Sequence, residues 1–475
     1  MDPLLNGLQE AGQAVLGLLS MPYLYIAVLL VWWHASQGVT LQRRLFHVRL
    51  YGSLYLVLIR LGAGAVVGLA LSAAGLGAGA ALSPETLLCV WAAMLVLALF
   101  RLRYICLAYA AGALGLLQAI LSWTVPADQT SGFALEALQA IDDIDVPGLL
   151  FLAGLLHVAE GFLVRVQGAK TAIPLFLEGK RGKPVGAYAL SGAWPIPLLW
   201  LVPSSGGDGF SLPWAPLFGS AAADMALWTF MAFPVVIGFS DRTETFWPER
   251  KAKDAGNQLI YYGIVLAALA AGAIYWPPLA VAASIAAFGL HEALVFFSRF
   301  REAGRHPLYA QDGTGVKILA VLPGTPAAEM GLMAGETIRK VNGSTTRTKE
   351  DLHAALQRQS AFCKMEVANR EGHVKFLQRA RYAGEHHQLG LVLAPDESAD
   401  FVATPRSASL WQNLRSAGAR RRAGLAFARS ESMAANAEQA AAEGTDAASE
   451  AAVIEPETPP MPQPDPGLPP RSAKK

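Results

Sequence analysis

Apolar segments separated by short polar loops occupy most of the chain up to residue 299. A helix needs roughly 20 apolar residues to cross a hydrocarbon layer of about 30 Å. Nine segments approach or meet that length, at 21–38, 61–82, 84–101, 103–124, 146–165, 189–203, 217–239, 259–276 and 278–298. The sixth is short and contains Pro195 and Pro197. The pattern therefore predicts a polytopic α-helical membrane domain over residues 21–299, with about eight or nine spans.

The first 20 residues form a separate, weaker pattern. Apolar side chains recur on one side of a helical projection, at Leu4, Leu5, Leu8, Val15, Leu16 and Leu19. This spacing predicts an amphipathic helix over residues 1–20 that lies at the membrane interface. The start lacks a basic region and a small-residue cleavage site, so we expect the first apolar segment to remain in the mature protein.

The pattern changes after the last apolar segment. VKILAVL at 316–322 predicts a buried strand, and Asn342–Gly343 predicts a hairpin turn. Thr348 with Asp351 is typical of a capping box at the start of a helix. The other predicted elements are a helix at 349–358 and strands at 362–369, 373–379 and 388–395. Together they indicate a small α+β domain over residues 306–395.

The tail, residues 396–475, has two parts. Segment 410–430 places five arginines among apolar residues. It suits either a basic amphipathic helix on anionic lipid or a solvated linker. Residues 431–465 contain eight acidic residues and no Lys or Arg, and are rich in Ala and Pro. Such a composition buries too little apolar surface to fold, so we expect this part to be disordered.

Composition supports a membrane protein. The chain is 53% hydrophobic and 16% charged, against about 25% charged in soluble domains, and its mean hydropathy is +0.34. The net charge of +1 does not favour nucleic acid as a partner. Cys89, Cys106 and Cys363 lack the spacing of a metal or redox motif, so no zinc site, disulfide framework or cofactor is expected.

Loop charges predict the orientation. Positive residues occur in alternate loops, at Arg43, Arg44, Arg49, Arg101, Arg103, Lys170, Lys180, Arg181, Lys183, Arg242, Arg250, Lys251, Lys253, Arg299, Arg301 and Arg305. The opposite loops carry acidic residues, at Glu85, Asp128, Glu136, Asp142, Asp143, Asp145 and Asp208. Because positive residues resist translocation, cytoplasmic loops gather them. The domain at 306–395 is therefore predicted to be cytoplasmic.

Ionisable residues also occur inside the predicted spans, at His157, Glu160, Asp224, His291 and Glu292. Each costs about 2.5–3.5 kcal/mol to insert at the centre of a span, so we expect them to face the bundle interior. They suit a proton or ion path or a metalloprotease site. Interhelical hydrogen bonding near the helix ends is the interpretation that we favour, and their role stays open.

The stretch GVKILAVLPGTPAAEMGLMAGETIRKVNG (315–343), followed by a helix, resembles a PDZ domain of the bacterial kind. PDZ domains bind an extended peptide by adding it to the edge of a sheet. The resemblance implies a groove between strand 316–322 and helix 349–358, with backbone amides of 313–316 holding the peptide carboxylate. Its candidate peptide-binding residues are Gly315, Val316, Ile318, Leu352, Ala355 and Leu356. The apolar ones equally suit the core of a small domain.

Enzymatic alternatives find little support. Site-2 intramembrane proteases also combine spans with a PDZ domain, but they need His-Glu-x-x-His. After His291–Glu292, Val295 stands where the second His belongs. No serine-nucleophile turn, Walker loop or dinucleotide fingerprint occurs, and no internal repeat suggests a transporter. We therefore expect no catalytic residue. An intramembrane protease, its regulatory relative and a transporter-like protein are the alternatives.

Apart from its tail, the chain resembles the MinJ-type topological determinants of cell division in Gram-positive bacteria. The resemblance is carried by 165–203, by His291–Glu292 leading into HPLYAQ, by the PDZ motifs and by HHQLGLVLAPDE (386–397). It implies a membrane-anchored scaffold that connects a polar DivIVA-like protein to a MinD-like division regulator, enriched at septa and poles. The chain departs from that family in its larger number of predicted spans and in its tail.

Overall fold

The computed structural model describes residues 3–47, 50–125, 131–179, 182–204, 209–218, 227–359, 361–380, 389–396 and 399. Asp224 lies outside these residues. So do both tail segments for which predictions were made, at 410–430 and 431–465, and the loop residues Arg49, Asp128, Lys180, Arg181 and Asp208. Those predictions therefore remain predictions.

Apolar helices dominate the amino-terminal part. They are α1 (Pro3–Ser20), α2 (Pro22–Phe46), α3 (Ser53–Ala78), α4 (Pro84–Phe100), α5 (Leu107–Thr124), α6 (Phe133–Asp142), α7 (Val146–Leu163), α8 (Pro248–Tyr275) and α9 (Pro278–Ala303). A π-helical segment, Val164–Gly168, extends α7. Side chains cap two starts: Ser83 Oγ accepts from the Thr86 N–H before α4, and Asp145 Oδ1 from the Gly148 N–H before α7. These caps satisfy N–H groups that a helix leaves unpaired in its first turn.

Among the described residues, six helices are long and apolar enough to cross a membrane: α2, α3, α5, α7 with its π-helical extension, α8 and α9. The apolar helix α4 is shorter, at 17 residues. The predicted count of eight or nine spans is not confirmed. In particular, the helices predicted at 189–203 and 217–239 are wrong, because the described residues there form strands β2 (Pro184–Pro203) and β3 (Trp228–Thr243).

The prolines of these segments explain the correction. Pro195 and Pro197 lie inside β2 and Pro234 inside β3. Each would cost a helix interior about 3 kcal/mol or more. Hydrophobic periodicity does not separate a short apolar strand from a buried helix. The apolar character of both segments was therefore a sound observation, and only the helical interpretation fails.

The two strands form a long hairpin within the helical part. With β1 (Ile173–Glu178) they make an antiparallel sheet of order β1-β2-β3, in which β2 pairs with β3 from Tyr188↔Thr243 to Pro203↔Trp228. Helix α3 packs closely against β2 through its glycine residues. A Cβ at Gly64 would overlap the Pro195 carbonyl, and one at Gly75 would overlap the Trp200 ring. β3 thus pairs with one side of β2 and α3 packs against it, which shields backbone polar groups as hydrocarbon surroundings require.

Helix α7 lies at the centre of the bundle. It contacts α3, α5, α8 and α9, and most of its residues are buried. Helices that are apolar on every side are typically enclosed in this way. Its buried residues include His157 and Glu160, so these two polar side chains do face the protein interior.

The carboxyl-terminal part is a small α+β domain, as predicted. Its elements are β4 (Val316–Val321), α10 (Pro326–Glu329), β5 (Thr337–Val341), β6 (Ser344–Thr345), α11 (Lys349–Arg358), β7 (Phe362–Ala368), β8 (Val374–Ala380) and β9 (Leu391–Leu393). The sheet order is β8-β7-β5-β4-β9, with β6 paired to β5. The predicted capping box begins α11: Thr348 and Asp351 each accept the other's backbone N–H. N–H groups of Arg347 and Thr348 hold the pKa of Asp351 below its ordinary value.

This small domain packs on the base of the β1–β2 hairpin. Tyr309, which is fully buried, accepts a backbone hydrogen bond from Gly186 at 2.9 Å. The Tyr188 hydroxyl donates to the Leu319 carbonyl of β4. These residues belong to one apolar cluster that joins the two parts of the chain. The domain is therefore packed against the helical part and is not joined to it by the chain alone.

Candidate peptide-binding site

The residues predicted to bind peptide lie close together, but inside the core of the small domain. They are Gly315, Val316, Ile318, Leu352, Ala355 and Leu356. Each of the apolar residues from β4 and α11 is at most 3% exposed, and all of them belong to one cluster. Gly315 is also buried, and a Cβ there would overlap the Ile338 carbonyl. The structure shows these residues packing against one another. Their contact with a peptide stays a prediction.

The strand assigned to the predicted groove needs correction. β4 has a neighbour on each side, with Val316 paired to Ile338 of β5 and Ile318 paired to Leu393 of β9. A peptide that extends a sheet needs an edge strand with unpaired backbone groups. β4 has no such edge. The sequence could not reveal this, because it does not show which strand lies outside β4.

The loop predicted to hold a peptide carboxylate already contains one. Asp312 Oδ1 accepts hydrogen bonds from the Thr314 N–H at 2.9 Å and the Thr314 hydroxyl at 2.6 Å. Partial burial raises the pKa of Asp312, but these hydrogen bonds and the charge of Lys317 outweigh it and bring the pKa below its ordinary value. An ionised Asp312 disfavours a second carboxylate at this loop.

The candidate edge is β9, the last strand of the sheet among the described residues. Leu389 and Gly390 precede it with positive φ of 56° and 80°. A left-handed non-glycine residue costs about 1–3 kcal/mol and often marks a ligand-binding segment. Leu389 and Leu391 share the apolar cluster that contains Leu352 and Leu356 of α11. The candidate site is therefore the edge of β9, whose apolar residues share a core cluster with those of α11.

Backbone direction identifies a donor on this edge. The Ala394 N–H donates to the Lys317 carbonyl of β4 at 2.9 Å. Because successive N–H groups of an antiparallel strand point to opposite sides, the Leu393 N–H points away from β4. A peptide strand added beside β9 would accept a hydrogen bond from this group.

The ionisable residues of the predicted spans meet between α5, α7 and α9. Arg103 forms an ion pair with Glu292, and the Tyr109 hydroxyl donates to Glu292 Oε1 at 2.8 Å. Cys106 Sγ lies 3.3 Å from His157 Nε2. Interhelical hydrogen bonding, one of the two open interpretations, is therefore present.

Comparisons with known proteins agree with this architecture. The PDZ domain family matches residues 317–367, from β4 into β7. A Bacillus subtilis (strain 168) protein described as "Cell division topological determinant MinJ" is 29% identical over 288 residues, which are 59% of this chain and 72% of the relative. The chain resembles the MinJ-type determinants. A Lacticaseibacillus paracasei protein, "Probable cell division topological determinant MinJ", is 28% identical over 261 residues, 53% of this chain and 66% of the relative. No solved structure matches.

The predicted MinJ-type resemblance is thus confirmed, but the PDZ match ends before β9. Leu391–Leu393 come from the stretch 386–397, which carried the MinJ-type resemblance and was predicted only as a closing strand. Within the sequence, the Leu389–Gly390 pair was the one local feature that could have pointed to β9 as a binding strand. Its meaning depends on the pairing of β9 with β4, which is a tertiary contact.

Proposed function

We propose that this chain is a non-catalytic, membrane-anchored adaptor of cell division that binds an extended peptide along β9. The observation that carries the proposal is the PDZ sheet that ends at β9 beside α11. The names of the MinJ-type relatives support the division role. The family resemblance suggests the partners, a polar DivIVA-like protein and a MinD-like regulator, and enrichment at septa and poles.

The binding mode follows from the strand edge. A partner segment, such as a carboxyl terminus, pairs with β9 through backbone hydrogen bonds, and its alternate side chains face the domain. Backbone pairing contributes affinity without selecting a sequence. Selectivity then comes from the surface that the peptide meets beside α11.

We also propose a cytoplasmic PDZ domain. Six long helices together with α4 make seven crossings, and 17 residues is the lower limit for a span. β2 and β3, which replace two predicted spans, form an antiparallel hairpin. The chain therefore re-emerges on the side from which it entered, and the hairpin does not change the side on which the chain ends. Basic residues then share one side, at Arg43, Arg44, Arg101, Arg103, Lys170, Arg250, Lys251, Arg299, Arg301 and Arg305.

A reporter fused after residue 400 tests this orientation. We expect a cytoplasm-dependent fluorescent reporter to be active there and a secreted phosphatase reporter to be inactive. The same pair of reporters fused after residue 80, at the end of α3, should give the opposite result. Phosphatase activity after residue 400 would place the PDZ domain outside and remove the proposed partners from its reach.

Substitution of Leu393 by Pro tests the β9 edge. Pro removes the outward N–H and obstructs strand addition, while the Ala394–Lys317 hydrogen bond to β4 is retained. We expect the affinity for the DivIVA-like or MinD-like protein to fall at least about tenfold. The lost hydrogen bond alone contributes about 0.5–1.5 kcal/mol, and a clash between the proline ring and the peptide adds to this. Binding is measured with the full chain in a bacterial two-hybrid assay and in nanodiscs.

The matched control is Phe376→Ala on β8, at the opposite edge of the sheet, where the side chain is 68% exposed. It should leave binding unchanged. Amide exchange in β4 should be equal in both variants, which separates loss of the edge from loss of the fold. Undiminished partner binding by a folded Leu393→Pro protein would reject β9 as the binding strand.

A further inference from the structure

Three potential metal ligands converge inside the helical bundle. Cys106 is the residue before the first turn of α5, His157 lies on α7 and His291 lies on α9. One ligand atom from each lies within 4.8 Å of the others. The sequence analysis predicted no zinc site, because the three residues are far apart in the chain and match no metal-binding spacing.

The hydrogen bond of His157 directs a lone pair toward this centre. Its Nδ1 lies 2.7 Å from the Ala153 carbonyl oxygen. A carbonyl only accepts hydrogen bonds, so Nδ1 carries the ring proton. Nε2 therefore keeps its lone pair in the neutral ring, and this atom is 3.3 Å from Cys106 Sγ.

His291 is oriented in the same way by a chain of polar groups. The Tyr109 hydroxyl donates its one proton to Glu292 Oε1 at 2.8 Å. Its 2.7 Å contact with His291 Nδ1 must then have the ring nitrogen as donor. Nε2 of His291 keeps its lone pair. Arg103 holds Glu292 in place by an ion pair. Metal-ligating histidines characteristically have their second nitrogen bound to such outer groups.

We propose that Cys106 Sγ, His157 Nε2 and His291 Nε2 bind a zinc ion through three protein ligands. Ligands at about 2.0–2.3 Å from a tetrahedral zinc ion are about 3.5 Å apart, which suits the 3.3 Å between Cys106 and His157. Glu160 Oε2 is buried and lies 3.8 Å from the same His157 nitrogen, but it is outside the group of three mutually close ligand atoms. Thiolate with imidazole is a donor set that selects zinc over magnesium or calcium.

Charge balance supports a cation at this place. A cysteine thiolate and the nearby buried Glu160 carboxylate together balance the charge of a divalent ion, while Arg103 and Glu292 neutralise each other. These groups together then carry no net charge, and an uncompensated charge is strongly disfavoured in an apolar environment. The ion joins α5, α7 and α9, and α9 leads directly into the PDZ domain. Three protein ligands leave the fourth tetrahedral position of the ion to water.

Zinc content and cobalt spectra of the full chain test the proposal. The protein is purified in detergent, stripped with a chelator, and titrated with Zn²⁺ or Co²⁺. We expect equimolar zinc by elemental analysis, and for Co²⁺ the visible bands of a tetrahedral ion with a thiolate-to-cobalt charge-transfer band. Cys106→Ser should abolish the charge-transfer band. Cys89→Ser and Cys363→Ser, which change the other two cysteines, should retain it.

Tyr109→Phe provides a milder variant. It removes the hydroxyl that orients His291 and should weaken zinc binding about 10- to 100-fold, the usual effect of losing an outer-shell partner. Absence of metal uptake by the unmodified chain would overturn the proposal. So would a charge-transfer band that disappears with Cys89 or Cys363. Because the unmodified chain and these two variants keep the cluster intact, the test does not depend on the folding of Cys106→Ser.

Discussion

Leu352→Asp should unfold the PDZ domain and not merely block its groove. Leu352 is 3% exposed and packs in the cluster that contains Ile318 and Leu356. Truncating a buried leucine to alanine alone costs about 2–5 kcal/mol. A carboxylate at this position adds the cost of an unpaired buried charge. The sum is comparable to the whole stability of a small domain, about 5–15 kcal/mol.

Hydrogen exchange of the full chain in nanodiscs measures this effect. Amides of β4, β5 and β7 should lose protection in Leu352→Asp, while those of α7 and α8 keep it. Gln357→Asp places the same charge at an exposed position of the same helix and should change stability by no more than about 0.5 kcal/mol. Retained protection in Leu352→Asp would mean that the described core packing is wrong. Because the expected loss of partner binding would follow from unfolding, it would not locate the groove.

Tyr309→Ala should release the PDZ domain from the helical part. The Tyr309 ring is fully buried, with its centre 5.3 Å from that of Tyr188 and 5.6 Å from that of Trp247. Replacing a buried aromatic residue by alanine costs about 3–5 kcal/mol. The contacts that remain include Arg370, which stacks 4.3 Å from the Trp247 ring. We expect the loop between α9 and β4 to become accessible to protease, at a rate at least tenfold above that of the unmodified chain.

Tyr309→Phe is the matched control. The Tyr309 hydroxyl is buried and has no hydrogen-bond partner among the described residues. Burying an unpaired polar group costs about 1–3 kcal/mol, so the phenylalanine variant should be as stable as the unmodified chain or more so. Protease accessibility and thermal unfolding of the two variants are compared side by side. Equal destabilisation by Phe and Ala would show that the hydroxyl, and not the ring, holds the domain.

Undocking also bears on the proposed adaptor role. Val392 of β9 and Leu319 of β4 belong to the apolar cluster at the interface with the helical part. The strand that we propose as the binding edge is thus packed against the helical part on one face. Partner binding by Tyr309→Ala therefore tells whether the helical part helps to position β9.

Local patterns determined much of this protein. Long apolar segments identified α2, α3, α5, α7, α8 and α9, because a span must be apolar over its whole length. The PDZ motif located β4, and the Thr348–Asp351 capping box located α11, because both depend on residues close together in the chain. The same local signals could not show that 184–203 is a strand, since an apolar segment suits either a buried strand or a buried helix.

Only the tertiary structure decided which strand is the edge of the PDZ sheet and which polar side chains meet. β9 closes the sheet through pairing with residues about 70 positions earlier, and no local pattern encodes that distance. Likewise, helix packing brings together the ligand atoms of Cys106 just before α5, His157 on α7 and His291 on α9. Sequence patterns report what a segment buries, whereas a site depends on which segments are buried against one another.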